Sequence, residues 1–256
     1  MTFPIENFAA SLANAWKTQT TIALSEPLPS RQIAYAVQDR FFELSGEKSI
    51  GWKVGAAART IQIEHGHDGP IPGRMPAAHF YRSPAKIHYE ALPGSQAECE
   101  FAFRVTRQFT ANRTYGQDEI ASSLVLLPAI EIAQFRTHTW GDRVRGTYDE
   151  IADNGGAAGF VAGPEIHDWR TIDLAQVKIN SSIDGGKPTS QNTGDRWRHP
   201  LDVAIGMINE ICARGYDLGE GQYLSTGSST VPQKLASGNH LIANFGVLGT
   251  VELEML

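Results

Sequence analysis

Apolar positions recur at helical spacing in two stretches near the N-terminus, and the chain then turns to the short apolar runs and two-residue alternation of strands. Residues 5–17 and 31–45 read as amphipathic helices. In the second, Ile33, Val37, Phe41 and Leu44 share a face, and Pro29-Ser30 supplies a start signal. Gly51-Trp52-Lys53-Val54-Gly55 predicts a short strand between glycines, and residues 66–76 (GHDGPIPGRMP) predict a loop with no regular period. Strands are predicted over roughly 98–106, 124–134, 157–162, 174–183, 222–226 and 247–254. One helix interrupts them from Pro200 to Arg214, with Leu201, Ile205, Ile208 and Cys212 on its apolar face, Pro200 in its first turn and Gly215 at its end. Asp184-Gly185-Gly186 has the composition of a hairpin turn. No internal repeat or low-complexity linker divides the chain. The expected class is α/β (mixed): a helical N-terminal part, residues 1–75, packed on a β-rich core, residues 76–256, as one unit.

Three glutamates break the apolar runs. Glu98 and Glu100 lie in Ala97-Glu98-Cys99-Glu100-Phe101, and Glu131 in Pro128-Ala129-Ile130-Glu131-Ile132. On a strand Glu98 and Glu100 point the same way, about 7 Å apart, with Cys99 and Phe101 on the other face. The pair by itself fits the solvent face of a half-buried sheet. Glu131, inside VLLPAIEIA, is hard to explain as surface. Buried anions are costly unless a positive group meets them, and neither short segment contains Lys or Arg. A hard divalent cation answers that need. Carboxylate ligation suits Mg²⁺ or Mn²⁺, with Ca²⁺ also accepted by oxygen donors.

Composition narrows the class further. A chain of 256 residues is long enough for a sizeable core. Its net charge of −6 argues against nucleic acid as the main partner. The absence of a long apolar run argues against a transmembrane helix, and the early acid in MTFPIENFAASLANAWK argues against a signal peptide. Cys99 and Cys212 sit in apolar patterns and read as reduced, buried thiols. The expectation is a cytoplasmic protein that meets neither nucleic acid nor membrane.

Other positions offer chemistry beside a blander reading. Lys53, between Trp52 and Val54, is either a cation or acid/base group facing an anionic substrate, or a lysine snorkelling from a strand end. Asp153-Asn154-Gly155-Gly156 is either an ordinary turn or a place where backbone passes close to a ligand. Ser228, Ser229 and Thr230, in STGSSTVP after a strand, form a loop whose hydroxyls and N–H groups suit a carboxylate. His65 and His67 straddle Gly66 without a third zinc ligand nearby.

In order along the chain, GWKVG, AECEFAF, LPAIEIAQFR, IADNGGAAGFVAG, STGSSTVP and ASGNHLIANFGVLGTVEL resemble the fumarylacetoacetate hydrolase-like superfamily. The branch they resemble most is that of 2-keto-4-pentenoate hydratase and 4-oxalocrotonate decarboxylase. The resemblance implies a mixed β-sheet/β-roll core forming a single catalytic unit. It implies metal ligation by Glu98, Glu100 and Glu131 and a catalytic role for Lys53. Asp153, Asn154, Ser228, Ser229 and Thr230 become candidates for binding substrate. The C–C hydrolases of the superfamily usually carry aspartate as the third ligand, where this chain has Glu131. The implied activity is Mg²⁺- or Mn²⁺-dependent hydration of a small 2-hydroxy-2,4-dienoate from aromatic ring cleavage. The alternatives are decarboxylation of a 2-oxo-enedioate, acylpyruvate hydrolysis using Glu64-His65 or His67, and an inactive subunit supporting a catalytic one. Homo-oligomerisation and association with another pathway enzyme are implied too.

The sequence departs from the pattern at one chemically important place. Hydratases of this type usually have Pro-Asp-Phe/Tyr-Gly after the lysine, its aspartate implicated in proton transfer. Here the stretch reads Pro70-Ile71-Pro72-Gly73, with Asp68 a little upstream. The usual Gly-Asp near the end is Gly238-Asn239. The substitution at Ile71 shifts weight from hydration toward decarboxylation or a variant substrate.

Overall fold

A computed structural model describes residues 3–24, 26–139 and 144–256. Its helices are α1 (Ile5–Thr18), α2 (Arg31–Ser45), α3 (Arg59–His65), α4 (Gln117–Ala121), α5 (Thr147–Ala152) and α6 (Pro200–Ala213). The strands begin with β1 (Ile22–Leu24), β2 (Ser49–Gly55), β3 (Ile71–Pro76), β4 (Phe80–Arg82) and β5 (Ala85–Ile87). They continue with β6 (Gln96–Val105), β7 (Leu124–Ala133), β8 (Thr137–Thr139), β9 (Ala157–Ala162) and β10 (Asn180–Ile183). The last four are β11 (Tyr223–Ser228), β12 (Gln233–Lys234), β13 (His240–Asn244) and β14 (Thr250–Met255).

The long strands form one sheet in the order β3-β2-β11-β6-β7-β9-β4, with β12 added beside β6. A second sheet, β10-β13-β14-β5, packs against its back, where Phe101 meets Phe245 edge to face at 6.0 Å. Cys99, Phe101, Phe103 and Val105 of β6 point into that dry interface, as period two requires. The opposite face carries Glu98, Glu100 and Ala102 and curls around the site.

The two N-terminal helices form where periodicity placed them. Ser30 caps α2, its hydroxyl accepting the Ile33 N–H at 3.2 Å, and Gly46 ends it with φ of 76°. Gln38, wholly buried on α2, donates to Pro72 O at 2.7 Å and Ile151 O at 2.9 Å. One side chain thereby ties the helical layer to β3 and α5, which flank the site.

Residues 66–76 are predicted as loop throughout, and the structure corrects this. Ile71–Pro76 form a fully buried strand paired antiparallel with β2. Pro72, Gly73 and Pro76 hide it from pattern reading, yet prolines are tolerated because β3 is the last strand of the sheet. Of predicted strand 174–183 only Asn180–Ile183 pairs, and Leu174–Gln176 is a 3₁₀ turn. The last strand starts at Thr250, after another such turn over Gly246–Leu248. Asp184 and Gly185 do turn, with φ of 52° and 66°, but β10 pairs with the distant β13 rather than with the chain that follows. Short elements such as α3, α5 and β13 escaped the sequence because they are too brief for a period to show.

Candidate active site

Strand register assembles the site. Glu98 on β6 lies directly opposite Glu131 on β7, and Glu131 opposite Phe160 on β9. Ser225 on β11 sits between Ala102 on β6 and Lys53 on β2. Residues opposite one another share a face, so Lys53, Ser225, Glu98, Glu100 and Glu131 all project to one side. Three strand spacings separate β2 from β7, about 14 Å in a flat sheet. Lys53 Nζ nevertheless reaches Glu131 Oε1 at 2.9 Å, because the sheet curls.

Carboxylate oxygens of Glu98, Glu100 and Glu131 come within 4.8 Å of one another. Glu100 and Glu131 are fully buried, and Glu98 is half-buried. Glu100 Oε2 accepts from the Ser225 hydroxyl at 2.5 Å and the Gly227 N–H at 2.9 Å. Its Oε1 and Glu131 Oε2 receive no hydrogen bond among the described residues, and Glu131 Oε1 meets only the Lys53 ammonium. Burial, reinforced by the charge of Glu131, pushes the Glu98 carboxyl up to about 7 and raises Glu100 well above the carboxylate range. Burial works against the charge on Lys53, but Glu131 and Glu98 outweigh it and raise its pKa. One ammonium beside three carboxylates leaves negative charge over. Unfilled buried oxygens with hard donors only are what a hard divalent cation would fill, so these residues fit one.

A cavity of about 470 Å³ opens in front of this cluster. Lys53 and Glu98 line it, with Ile71, His67, Arg145 and Glu150. The size suits a small organic acid.

The remaining predicted positions divide. Ser228 and Thr230 line the cavity, whereas Ser229 is buried beside Cys99, to whose carbonyl it donates its N–H at 2.8 Å. Asp153 and Asn154 are brought near but serve the fold. Asp153 Oδ2 accepts from the Arg136 and Thr137 N–H groups, each at 2.8 Å, and from the Thr137 hydroxyl at 2.7 Å. Asn154 grips the Arg74 peptide, accepting its N–H at 2.7 Å and donating to its oxygen at 2.8 Å. Gly155, not these side chains, reaches the cavity. Glu64 pairs outward with Arg196, and Asp68 with Arg31 at 2.6 Å. Sequence reading missed Ser225, Arg145 and Glu150. Ser225 was visible only as part of a Ser/Thr-rich loop, and Glu150 carried no signal at all.

No family model matches the chain. A 2-keto-4-pentenoate hydratase of Paraburkholderia phymatum is 28% identical over 253 residues, covering 96% of this chain and 95% of that protein. A 2-hydroxyhexa-2,4-dienoate hydratase of Comamonas testosteroni is 25% identical, covering 98% and 97%. Among solved structures, 4-oxalocrotonate decarboxylase from Pseudomonas putida G7, complexed with magnesium and adipate, superposes with a TM-score of 0.83 at 19% identity, over 98% of this chain and 97% of that one. The chain is thus similar over nearly its whole length to proteins named as dienoate hydratases and has the fold of 4-oxalocrotonate decarboxylase. Ile71, where the sequence resemblance led to an expected aspartate, is an apolar side chain only 2% exposed at the cavity wall.

Proposed function

We propose that the protein is a divalent-metal-dependent hydro-lyase that hydrates a 2-hydroxy-2,4-dienoate to a 4-hydroxy-2-oxo acid in the breakdown of aromatic compounds. The observation that carries this reading is the triad of Glu98, Glu100 and Glu131, with buried oxygens lacking donors, beside Lys53 at the wall of a substrate-sized cavity. Near full-length similarity to hydratases supports it. Glu98, Glu100 and Glu131 would hold the ion, which we take to be Mg²⁺ or Mn²⁺ from the all-oxygen donor set. When bound, it supplies Lewis-acid polarisation of the substrate's C2 oxygen.

The protein's own groups do the rest. Lys53, kept charged by its carboxylate neighbours, attracts and orients the anionic head of the dienoate. Ser225 and the Gly227 N–H fix the rotamer of Glu100. Ile61, Ile71 and Val231 give the carbon chain an apolar bed and limit stray water. Turnover of freshly generated 2-hydroxypenta-2,4-dienoate, with Mg²⁺ and with chelator, tests the proposal. Metal-dependent 4-hydroxy-2-oxopentanoate in the NMR spectrum is the expected result. Ketonisation without hydration would overturn it.

Decarboxylation of a 2-oxo-enedioate is the second reading, favoured by a specific feature. Arg145, Arg196 and Arg198 line the same cavity, and Ile71 supplies no carboxylate there. Guanidinium groups suit a second carboxylate on the substrate. Release of CO₂ from a 2-oxo-enedioate, faster than any hydration, would decide for it.

A further inference from the structure

Hydration requires a group that takes a proton from water, and the cavity limits the choice. Among the described residues its ionisable lining consists of Lys53, His65, His67, Glu98, Arg145, Glu150, Arg196 and Arg198. Guanidinium groups are donors with no acceptor to offer, and Lys53 is paired with Glu131 at 2.9 Å. Glu98 belongs to the carboxylate triad. Asp68, nearest in sequence to the missing aspartate, is half-exposed, paired to Arg31, and absent from the lining. Two histidines and Glu150 remain, and His65 is exposed.

Resting on the hydratase reading, we propose that Glu150 is the general base of water addition, with His67 as its positioning partner, in place of the aspartate that Ile71 replaces. The Glu150 side chain is 18% exposed, and no donor hydrogen-bonds it among the described residues. Among the described residues His67 Nε2 and Arg145 Nε each lie 3.7 Å from its oxygens. The other nitrogen of His67 lies 3.5 Å from the Thr147 hydroxyl, which sets the ring beside the carboxylate. Helix α5 is anchored at both ends, by Asp149 Oδ1 to the Leu28 N–H at 3.1 Å and by Gln38 to Ile151 O. Glu150 is therefore presented to the cavity from a fixed element, with neighbours on its oxygens that stand beyond hydrogen-bond distance.

The step balances without an added reactant. After ketonisation the substrate is a 2-oxo-3-enoate. Glu150 takes one proton from water as the water oxygen bonds to C4, and the C3–C4 π pair moves through C3–C2 onto the C2 oxygen. The enolate then takes the same proton from Glu150 at C3, which restores the carboxylate. Burial, offset in part by Arg145 and Lys53, raises the Glu150 carboxyl to about 7, where a base is effective near neutral pH. The charged or titratable groups around it are Lys53 on β2, Glu98 on β6, His65 at the end of α3 and His67 after it, Arg145 before α5, and Asp149 and Asp153 on its own segment.

The test compares wild type, Glu150→Gln and Glu150→Asp with Mn²⁺, following dienol ketonisation by ultraviolet absorbance and hydrate formation by NMR. Glu150→Gln should lose hydration by about 10²–10⁴-fold while binding Mn²⁺ normally and still ketonising the dienol. The acid limb of the wild-type hydration profile near pH 7 should vanish with it. Hydration by Glu150→Gln at the wild-type rate, with that limb intact, would overturn the inference and leave the hydratase reading standing. Absence of hydration by wild type overturns both. Should Glu150→Gln fail to fold, Glu150→Asp decides: a lowered kcat with unchanged KM supports the role, and an unchanged kcat removes it.

Discussion

Lys53 shows how one residue carries two duties. Its ammonium offsets the charge of Glu131 at a nearly buried position, and it lines the cavity where an anionic substrate would lie. Removing one partner of a buried pair costs about 3–5 kcal/mol, because the other charge is stranded. Lys53→Ala is therefore expected to lower the metal-free melting temperature, to recover much of that loss in Mn²⁺, and to lose turnover in both conditions. Calorimetry and the dienoate assay measure the two effects, and full turnover would deny Lys53 its role. Glu98 has the opposite sign. It is a carboxylate held against its neighbours, so Glu98→Gln should raise the metal-free melting temperature by a few degrees while abolishing the Mn²⁺-induced shift. Unimpaired Mn²⁺ binding by this variant would refute the ligand assignment.

Among the elements, β3 is the one whose formation matters most to the site. Its backbone runs so close to the turn after α5 that a Cβ on Gly73 would lie 2.1 Å from Asn154 O. The same approach lets Asn154 clamp the Arg74 peptide on both its donor and its acceptor. Gly73→Ala must push these segments apart and is expected to cost about 3 kcal/mol or more, read from the urea midpoint. Stability within half a kilocalorie of wild type would show that the contact is loose. This element also marks the limit of sequence reading. Val37 and Phe41 announce α2 by their spacing, β6 shows itself by two-residue alternation, and β7 by a mostly apolar run. Nothing local in Pro70-Ile71-Pro72-Gly73 announces a strand, because its partner β2 and its cover α5 come from elsewhere in the chain.

Across the whole molecule, the acidic cluster couples stability to pH and to metal. Glu98 and Glu150 move from an ordinary 4.5 to about 7 on folding. Between those values the folded state holds protons that the unfolded chain has released, so stability falls as pH rises from about 4.5 to 7 and levels off above. Metal-free protein should therefore melt at lower temperature at pH 7 than at pH 5. Mn²⁺ needs the deprotonated carboxylates, so its stabilisation should grow over the same interval. At 100 times its dissociation constant the ion adds about 2.7 kcal/mol, or roughly 5–10 °C for a chain of this size. Thermal scans at the two pH values, with and without Mn²⁺, check both slopes. A melting temperature independent of pH would contradict the raised carboxyls.

The sequence alone determined the chemistry in reserve: two carboxylates one strand-period apart, a third in an apolar run, a lysine between glycines, and helices legible from a 3.6-residue period. These are local properties, set by the backbone's own geometry and by which side chains water rejects. Only the tertiary structure decided that Glu98 stands opposite Glu131, that a curled sheet lets Lys53 reach across three strands, and that Glu150 rather than Asp68 faces the cavity. It also assigned Asp153 and Asn154 to holding the fold, where a glycine-rich motif had suggested ligand contact. Register, curvature and the choice of hydrogen-bond partner depend on chain segments dozens of residues apart, and no short stretch of sequence contains them.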